Sequence, residues 1–549
     1  MRLASPAPVI FQICTLAYKE LSEAPTYPDL LHISVADIAS GLDTKRFTSV
    51  DLTKAFIARI YEVDSALNTV VEINPDALYI AEQLDLEREK HGRRGPRPLH
   101  GVPILLKDNL ATKDSMKTTA GSLCLMNSIP SHESTVVERL RKAGAVILGK
   151  TNVSEWLNFR SKKSSGGWSS RAGQTHGPYY HKQDPCGSSS GSAVAVAVGL
   201  SPLAIGTETD GSIVCPSNKN NIVGIKPTVG LVSRDFVFPG TFRQDTVGPM
   251  ARTVKDAAIL LGVIAGKSSL DNYTDRIPFR TTPDYTALCN PSALKGARIG
   301  IPRNAFQGPA SVLDAYQSAI SYFKDAGAVV VHDTDFESFH EFLKLDRNKV
   351  TYRDLRRSYE SYFAQLVKDP RNPKNLEDVI KFIKETPAEE YPQRDIGVFE
   401  DALNAPKEDI TEYQTILKKG LELAGKSGIL GMLDQWNLDA VILPASSVVA
   451  TSMAAIGGYP IVNVPMGYHP PDTPVEYNGR GDLVNNAPGI PIGLQIMGRP
   501  FDEERLISYA YAFEQISMIR EKMLPKVLPK TQLSDVIKAR VMNVTKSEL

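Results

Sequence analysis

The sequence predicts one large α/β domain. Segments with apolar residues at helical spacing alternate along the chain with short apolar runs of strand length, the rhythm of an α/β sheet. Hydrophobic residues make up 42% and charged residues 23% of the chain, the composition of a globular protein that buries a large core. At 549 residues the chain could hold several average domains. Large α/β enzymes nevertheless form a single body at this size, and neither an internal repeat nor a low-complexity tract divides the sequence.

From Ser49 to Leu67 a Ser/Asp start precedes apolar residues at helical spacing: Leu52, Ala55, Phe56, Ile60, Val63 and Leu67. His91 to Pro98 is basic and rich in Gly and Pro, which predicts a surface connection. It leads into Gly101-Val-Pro-Ile-Leu-Leu-Lys-Asp-Asn109, a short buried strand ending in polar residues. Ser134 to Ala143 reads as helix and Ala145 to Leu148 as strand. Ser190 to Leu200, small and apolar, predicts a closely packed helix, followed by strands at Leu203 to Gly206 and at Ile222 to Pro227, the latter stopped by proline. Gly266 to Pro291 has the composition of a long surface crossing. Arg298 to Pro302 and Ala328 to His332 are strands flanking a helix. Residues 337–426 are charged and mostly helical, an insert that faces substrate or serves as a lid. Asp439 to Ala445 and Ile492 to Gly498 are strands, and Phe501 to Ile519 is a helix.

Sixty-two basic residues balance sixty-two acidic ones, so no global field holds a nucleic acid or an anionic membrane. No apolar run reaches bilayer length. The stretch Ala7 to Ala17 is interrupted by Gln12 and Thr15 and makes a poor export signal, which favours the cytoplasm over secretion. Nine histidines include no H-x-x-x-H spacing, so neither a metal nor another cofactor is expected. The five cysteines, Cys14, Cys124, Cys186, Cys215 and Cys289, are odd in number and widely spaced, and are expected to be reduced thiols.

Two motifs mislead. Gly144-Ala-Val-Ile-Leu-Gly-Lys-Thr151 satisfies the phosphate-loop pattern G-x-x-x-x-G-K-[ST]. A true phosphate loop follows its strand with the backbone open to phosphate, whereas Ala145 to Leu148 are the strand itself. Gly187-Ser-Ser-Ser-Gly191 matches the nucleophile elbow G-x-S-x-G, with Ser189 as nucleophile. That elbow needs a hydrophobic strand before it, and here the preceding residues are Tyr180-His-Lys-Gln-Asp-Pro-Cys186.

Three separate segments combine more convincingly. Lys107 closes a strand after Gly101-Val-Pro103, Ser188 sits in the Gly/Ser turn, and Ser212 lies 24 residues on in Gly206-Thr-Glu-Thr-Asp-Gly-Ser-Ile213. This constellation resembles the amidase signature family, and its peptide-amidase-like branch above all. Leu99-His-Gly-Val-Pro103, Thr118-Thr-Ala-Gly-Ser122, Gly149-Lys-Thr-Asn152, Gly224 to Ser233, Asp245 to Ala251 and Pro491-Ile-Gly-Leu-Gln495 extend the match from about Ser49 to Ile519. It leaves 1–48 as an N-terminal extension and 520–549 as a C-terminal tail. The resemblance implies a mixed, twisted β-sheet covered by helices on both faces.

It also implies a Ser-cisSer-Lys triad: Ser212 as nucleophile, Ser188 as proton relay after a cis peptide bond, and Lys107 as base. Physical chemistry supports each role, since serine needs a neighbouring base, burial depresses a lysine pKa, and a hydroxyl both donates and accepts. Thr209, Asp210, Gly211 and Ser189 are the candidate substrate-binding residues, with N–H groups of the Thr209 to Ser212 turn as oxyanion donors. Asp210, where many relatives have glycine, bonds either the loop or the substrate. Val214 stands where many relatives carry arginine, and Asn218-Lys-Asn-Asn221 replaces small residues. Lys226 is read as a solvated turn charge, and Ser190 and Ser192 as caps of the following helix. The expected reaction is hydrolysis of a carboxylic, primary amide through an acyl-enzyme to acid and ammonia, on a small-molecule or peptide amide. No nucleic-acid partner or membrane span is expected, and a homodimer is compatible. The alternative is an A-type component of a glutamyl-tRNA amidotransferase, which feeds ammonia to a partner.

Overall fold

The computed structural model describes residues 27–92, 95, 97–306, 308–405 and 410–547. The stretch Ala7 to Ala17 weighed as an export signal lies outside them, as does Cys14. Ser34 and Thr48 each open a helix by a capping box, α1 (Val35–Asp43) and α2 (Ser49–Leu67). At Thr48 the hydroxyl accepts from the Asp51 N–H and the Asp51 carboxylate accepts from the Thr48 N–H, which satisfies two otherwise orphaned donors.

The chain then alternates as its pattern predicts: β1 (Val70–Ile73), α3 (Ala77–His91), β2 (Pro103–Lys107), α4 (Thr135–Lys142), β3 (Val146–Thr151), α5 (Ser190–Ala197) and β4 (Leu203–Glu208). After α6 (Val214–Lys219) come β5 (Val223–Lys226), β6 (Thr246–Ala251), α7 (Val254–Ile264), β7 (Arg298–Ile301), α8 (Ala310–Asp325) and β8 (Val329–His332). Five helices follow, α9 (Phe339–Lys344), α10 (Asn348–Phe363), α11 (Leu376–Glu385), α12 (Gly397–Asn404) and α13 (Ile410–Ala424). The remainder is α14 (Ile429–Gln435), β9 (Ala440–Pro444), α15 (Val448–Gly457), β10 (Ile461–Tyr468), β11 (Pro491–Met497), α16 (Glu503–Ser517) and α17 (Leu533–Ser547).

These eleven strands join one mixed sheet in the order β1-β3-β2-β4-β6-β5-β10-β11-β9-β7-β8, while Trp168–Ser169 with Gly173–Gln174 and Glu476–Tyr477 with Val484–Asn486 form two small ribbons outside it. The runs β3-β2-β4 and β9-β7-β8 are parallel and the other pairs antiparallel. Alternation along the strands feeds two cores. Ala440, Ile442, Val462 and Ile496 join the larger core, while Val441, Leu443, Ile461 and Met497 join a second one with α14 and α15. A period of two places these sets on opposite faces, so helices cover both sides.

Between residues 337 and 426 the insert is bound to the body rather than poised above it. Tyr359 of α10 packs against Phe238 with ring centroids 4.9 Å apart, and Trp156 joins the same buried cluster. Arg160 donates to the Glu389 carboxylate at 2.9 Å, both groups being buried. The expected surface crossing at 266–291 is also anchored in part, because Tyr285 and Ile277 are buried and the Asp271 carboxylate pairs with Arg234 at 2.7 Å. Within the C-terminal tail α17 places Leu533 and Ile537 in the main core.

Lys150 rules out the phosphate loop on structural grounds. It lies inside β3, fully buried, with Nζ donating to Leu110 O at 2.7 Å and Thr118 Oγ1 at 3.0 Å. Among the described residues no helix is long and apolar enough to cross a membrane.

Candidate active site

β2 and β4 are parallel neighbours, with Leu106 opposite Ile205, so their carboxyl ends emerge at one edge of the sheet. Lys107 closes the first, and the second runs into Thr209-Asp-Gly-Ser212. Ligands of α/β sheets gather at such edges, where loops leave the strand ends. The Gly/Ser segment reaches the same point through α5, whose residues are all buried. Ser192 Oγ is 2.7 Å from Thr151 Oγ1 and donates to Ile205 O at 3.0 Å, which ties the helix to β3 and β4. Ser190 Oγ donates to Cys186 O at 2.6 Å. Neither serine caps the helix as expected; the start of α5 is buried in the sheet, and its hydroxyls serve tertiary bonds instead.

Lys107 is fully buried. Its Nζ donates to Ser188 Oγ at 2.8 Å, Ser189 Oγ at 2.9 Å, Thr207 Oγ1 at 2.8 Å and Thr207 O at 3.0 Å. Burial holds its ammonium well below the usual lysine range, against the opposing pull of Asp245 and Glu208. The Gly187–Ser188 peptide bond is cis. Ser189 N–H donates to Ser212 O at 3.2 Å, which brings the Gly/Ser segment against the turn. Ser188 and Ser212 make no hydrogen bond to one another among the described residues, and this is the one link of the expected relay that stands open.

Three devices hold the turn. Glu208 Oε2 accepts from the N–H groups of Ile213 at 2.7 Å and Val214 at 2.9 Å. Thr209 Oγ1 donates to Asp245 Oδ1 at 2.6 Å, and burial pushes the Asp245 carboxyl up to about 6. Gly211 takes a left-handed conformation at φ +85°, open to glycine without strain. The N–H groups of Asp210, Gly211 and Ser212 meet no acceptor among the described residues, so the turn can present several donors to one developing oxyanion. Glu208, Asp245, Thr207 and Asn109 were not singled out from the sequence. Thr207, Glu208 and Asn109 are marked only by their place in the motifs around Ser212 and Lys107, and Asp245 only by the separate segment it opens.

The Asp210 carboxylate makes no bond to its own loop among the described residues. Its Oδ2 accepts from Ser452 Oγ at 2.7 Å, a side chain of α15 rather than the loop backbone. The residue is exposed and opens onto a cleft of about 470 Å³. Val214, Val312, Val448 and Ile492 give that cleft apolar lining, and Asn485 and Asn486 give it polar lining. Val214 is buried in an apolar cluster and brings no charge to the cleft. Residues 218–221 brace the site: Asn218 Oδ1 accepts from Gly493 N–H, Lys219 donates to Asn485 O at 2.6 Å, Asn220 Nδ2 donates to Pro185 O and Asn221 Nδ2 to the Tyr468 hydroxyl at the end of β10. A wider depression of about 870 Å³ near Arg139 and Tyr285 shares none of these residues.

Two further expectations are corrected. Lys226 is not a solvated turn charge: it ends the interior strand β5, is fully buried, and donates to Tyr459 O at 2.7 Å, with its titration lowered by burial to about 8. Cys186 and Cys215 are not reduced thiols but a disulfide across 29 residues. Spacing in sequence gave no sign of it, because it depends on the Gly/Ser loop folding back onto the start of α6. Cys124 and Cys289 are free.

The Amidase family profile matches residues 51–507. A protein of Arthroderma benhamiae, provisionally named an amidase, is 44% identical over 541 residues, covering 94% of this chain and 90% of its own. The A-type component of the glutamyl-tRNA(Gln) amidotransferase of Carboxydothermus hydrogenoformans is 32% identical over 517 residues, 89% of this chain and 98% of its own. Among solved structures, the native peptide amidase of Stenotrophomonas maltophilia superposes with a TM-score of 0.80 at 38% identity, over 91% of this chain and 99% of that one.

Proposed function

The chain belongs to the amidase signature family, and from that premise we propose that it is a stand-alone hydrolase of primary carboxamides, with Ser212 as nucleophile, Ser188 as relay and Lys107 as base. The observation that carries this reading is a fully buried lysine amine 2.8 Å from the Ser188 hydroxyl, with Ser188 and Ser212 on adjoining segments. A buried amine in its neutral form accepts the Ser188 proton as Ser188 takes that of Ser212, and Ser212 Oγ attacks the amide carbon. Catalytic hydrogen bonds are commonly long before substrate binds, and the Ser188 to Ser212 link closes in the complex. N–H groups of Asp210, Gly211 and Ser212 receive the oxyanion. The proton returns through Ser188 to the leaving nitrogen, ammonia departs, and water hydrolyses the acyl-enzyme by the same route.

Peptide amides are the favoured substrates. Likeness to a peptide amidase supports this, as does a cleft lined by both apolar and amide side chains. The free oxygen of Asp210 is suited to accept a substrate N–H beside the reacting carbonyl. Ser189, engaged by Lys107 and Thr207, supports the relay from behind. Of the two compartments weighed from the sequence, the disulfide favours an oxidising one, since cytosolic thiols keep such pairs reduced.

The test is ammonia release by the purified chain from a panel of simple and peptide amides, beside Ser212→Ala. We expect the variant to lose roughly three orders of magnitude or more in rate, and the wild type to show an acyl mass shift on the Ser212 peptide. Equal release by both would remove Ser212 as nucleophile. Turnover by the isolated chain would also exclude dependence on an amidotransferase partner.

A further inference from the structure

Among the described residues the single disulfide belongs to the site itself. Only Gly187 separates Cys186 from Ser188, and Cys215 follows Ser212 by three residues, its N–H donating to Gly211 O at 2.8 Å. The bond therefore crosses from the relay segment to the nucleophile segment, with Cα atoms 5.9 Å apart. Ser188 and Ser212 lack a direct hydrogen bond across that gap; Ser189 N–H donates to Ser212 O, and one residue along Ser189 Oγ donates to Thr207 O at 3.0 Å and accepts from Thr207 N–H at 3.2 Å. Farther back, Asn220 Nδ2 donates to Pro185 O at 2.9 Å and Gln183 Nε2 to Lys219 O at 2.8 Å. These bonds keep the two segments attached when the sulfur bridge is opened. Both half-cystines are partly exposed and border the cleft, so a small molecule reaches them from the substrate side.

We propose that Cys186 and Cys215 are positioning residues: their disulfide sets the gap between Ser188 and Ser212, and a small dithiol reductant entering through the cleft opens it and slows the enzyme. One thiolate of the reductant attacks a cystine sulfur, forming a mixed disulfide and releasing the other cysteine. Its second thiol then displaces the remaining cysteine. Two electrons enter the protein, the reductant leaves as its own disulfide, and the two protons it sheds end on Cys186 and Cys215. A shift of about an ångström between reacting groups costs on the order of a hundredfold in rate. Substrate affinity draws on the whole cleft and changes less.

This inference rests on the roles given to Ser188 and Ser212. An oxidised chain that hydrolyses no amide fails that assignment, whereas an active oxidised chain indifferent to reduction fails the clasp alone. Digestion of the unreduced full chain is expected to yield the Cys186–Cys215 linked peptide. Dithiothreitol under native conditions is expected to lower kcat about tenfold or more while KM moves less than about threefold, with the circular dichroism unchanged and activity restored by oxidised glutathione. Saturating peptide amide slows the reduction, because it fills the cleft beside the sulfurs. Cys124→Ser/Cys289→Ser keeps the whole response, and Cys186→Ala/Cys215→Ala starts at the low kcat and ignores dithiothreitol. Alkylation of Cys186 and Cys215 in the unreduced chain, or full kcat after complete reduction, would overturn the proposal.

Discussion

Lys107 shows how a single residue acquires its chemistry from its surroundings. Charge on its amine is opposed by complete burial and aided only in part by Asp245 and Glu208. The neutral amine is the form that accepts a proton, so the rate is expected to rise with pH and reach its plateau well below the ordinary lysine titration near 10.4. Lys107→Met keeps most of the side-chain volume and removes the base; we expect kcat/KM to fall about 10²- to 10⁴-fold and the rising limb to vanish. A limb centred at the ordinary lysine value would show that burial does not tune this amine. The three residues Lys107, Ser188 and Ser212 could be named from sequence because each sits in a motif with a fixed neighbourhood. The contacts that tune them could not. Asp245 lies 33 residues beyond Ser212, Thr207 and Asn109 act through hydrogen bonds made only on folding, and the Cys186–Cys215 bond needs two loops in register.

At the scale of elements, α5 decides where the Gly/Ser segment sits. Its small residues let the helix enter the sheet closely enough for Gly191 N–H to donate to Asn152 O at 3.1 Å. A Cβ on Gly191 would meet Thr69 O at 2.3 Å and Asn152 N at 2.6 Å, both backbone atoms with little room to yield. We therefore expect Gly191→Ala to cost about 1–3 kcal/mol of stability by overpacking and to lower kcat as well, because the displaced helix carries Ser188 and Ser189 with it. Urea unfolding and steady-state assays measure the two effects, and a variant of unchanged stability would contradict the close packing. Periodicity found this helix, expected over Ser190 to Leu200 and formed over Ser190–Ala197. It likewise found α2 and both strands beside Lys107 and Ser212. β1, β6 and β10 escaped for physical reasons: β1 is four residues long, β6 contains Gly248 and Pro249, and β10 is interrupted by Pro465. Tertiary pairing, not local propensity, makes them strands.

For the whole molecule, burial of cations far from the reaction leaves a measurable trace. Lys150 and Lys226 are enclosed completely, and burial lowers each to about 8. Each finds hydrogen-bond acceptors, chiefly the carbonyls Leu110 O and Tyr459 O, which fix it in place while leaving its charge short of water. The sign of the pH effect follows from proton counting. Below about 8 these amines are charged in both the folded and unfolded chains, and their contribution does not change with pH. Between about 8 and 10.4 the unfolded chain holds more protons than the folded one, so stability rises with pH through that window. One such lysine adds at most about 1.4 kcal/mol per pH unit there. Substituting Lys226→Met is expected to reduce the slope of unfolding free energy against pH between 8 and 10, measured by urea titration, by up to one proton. The same slope in variant and wild type would mean that Lys226 titrates alike in the folded and unfolded chains, and that the interior of this sheet accepts a charged amine without the desolvation its burial implies.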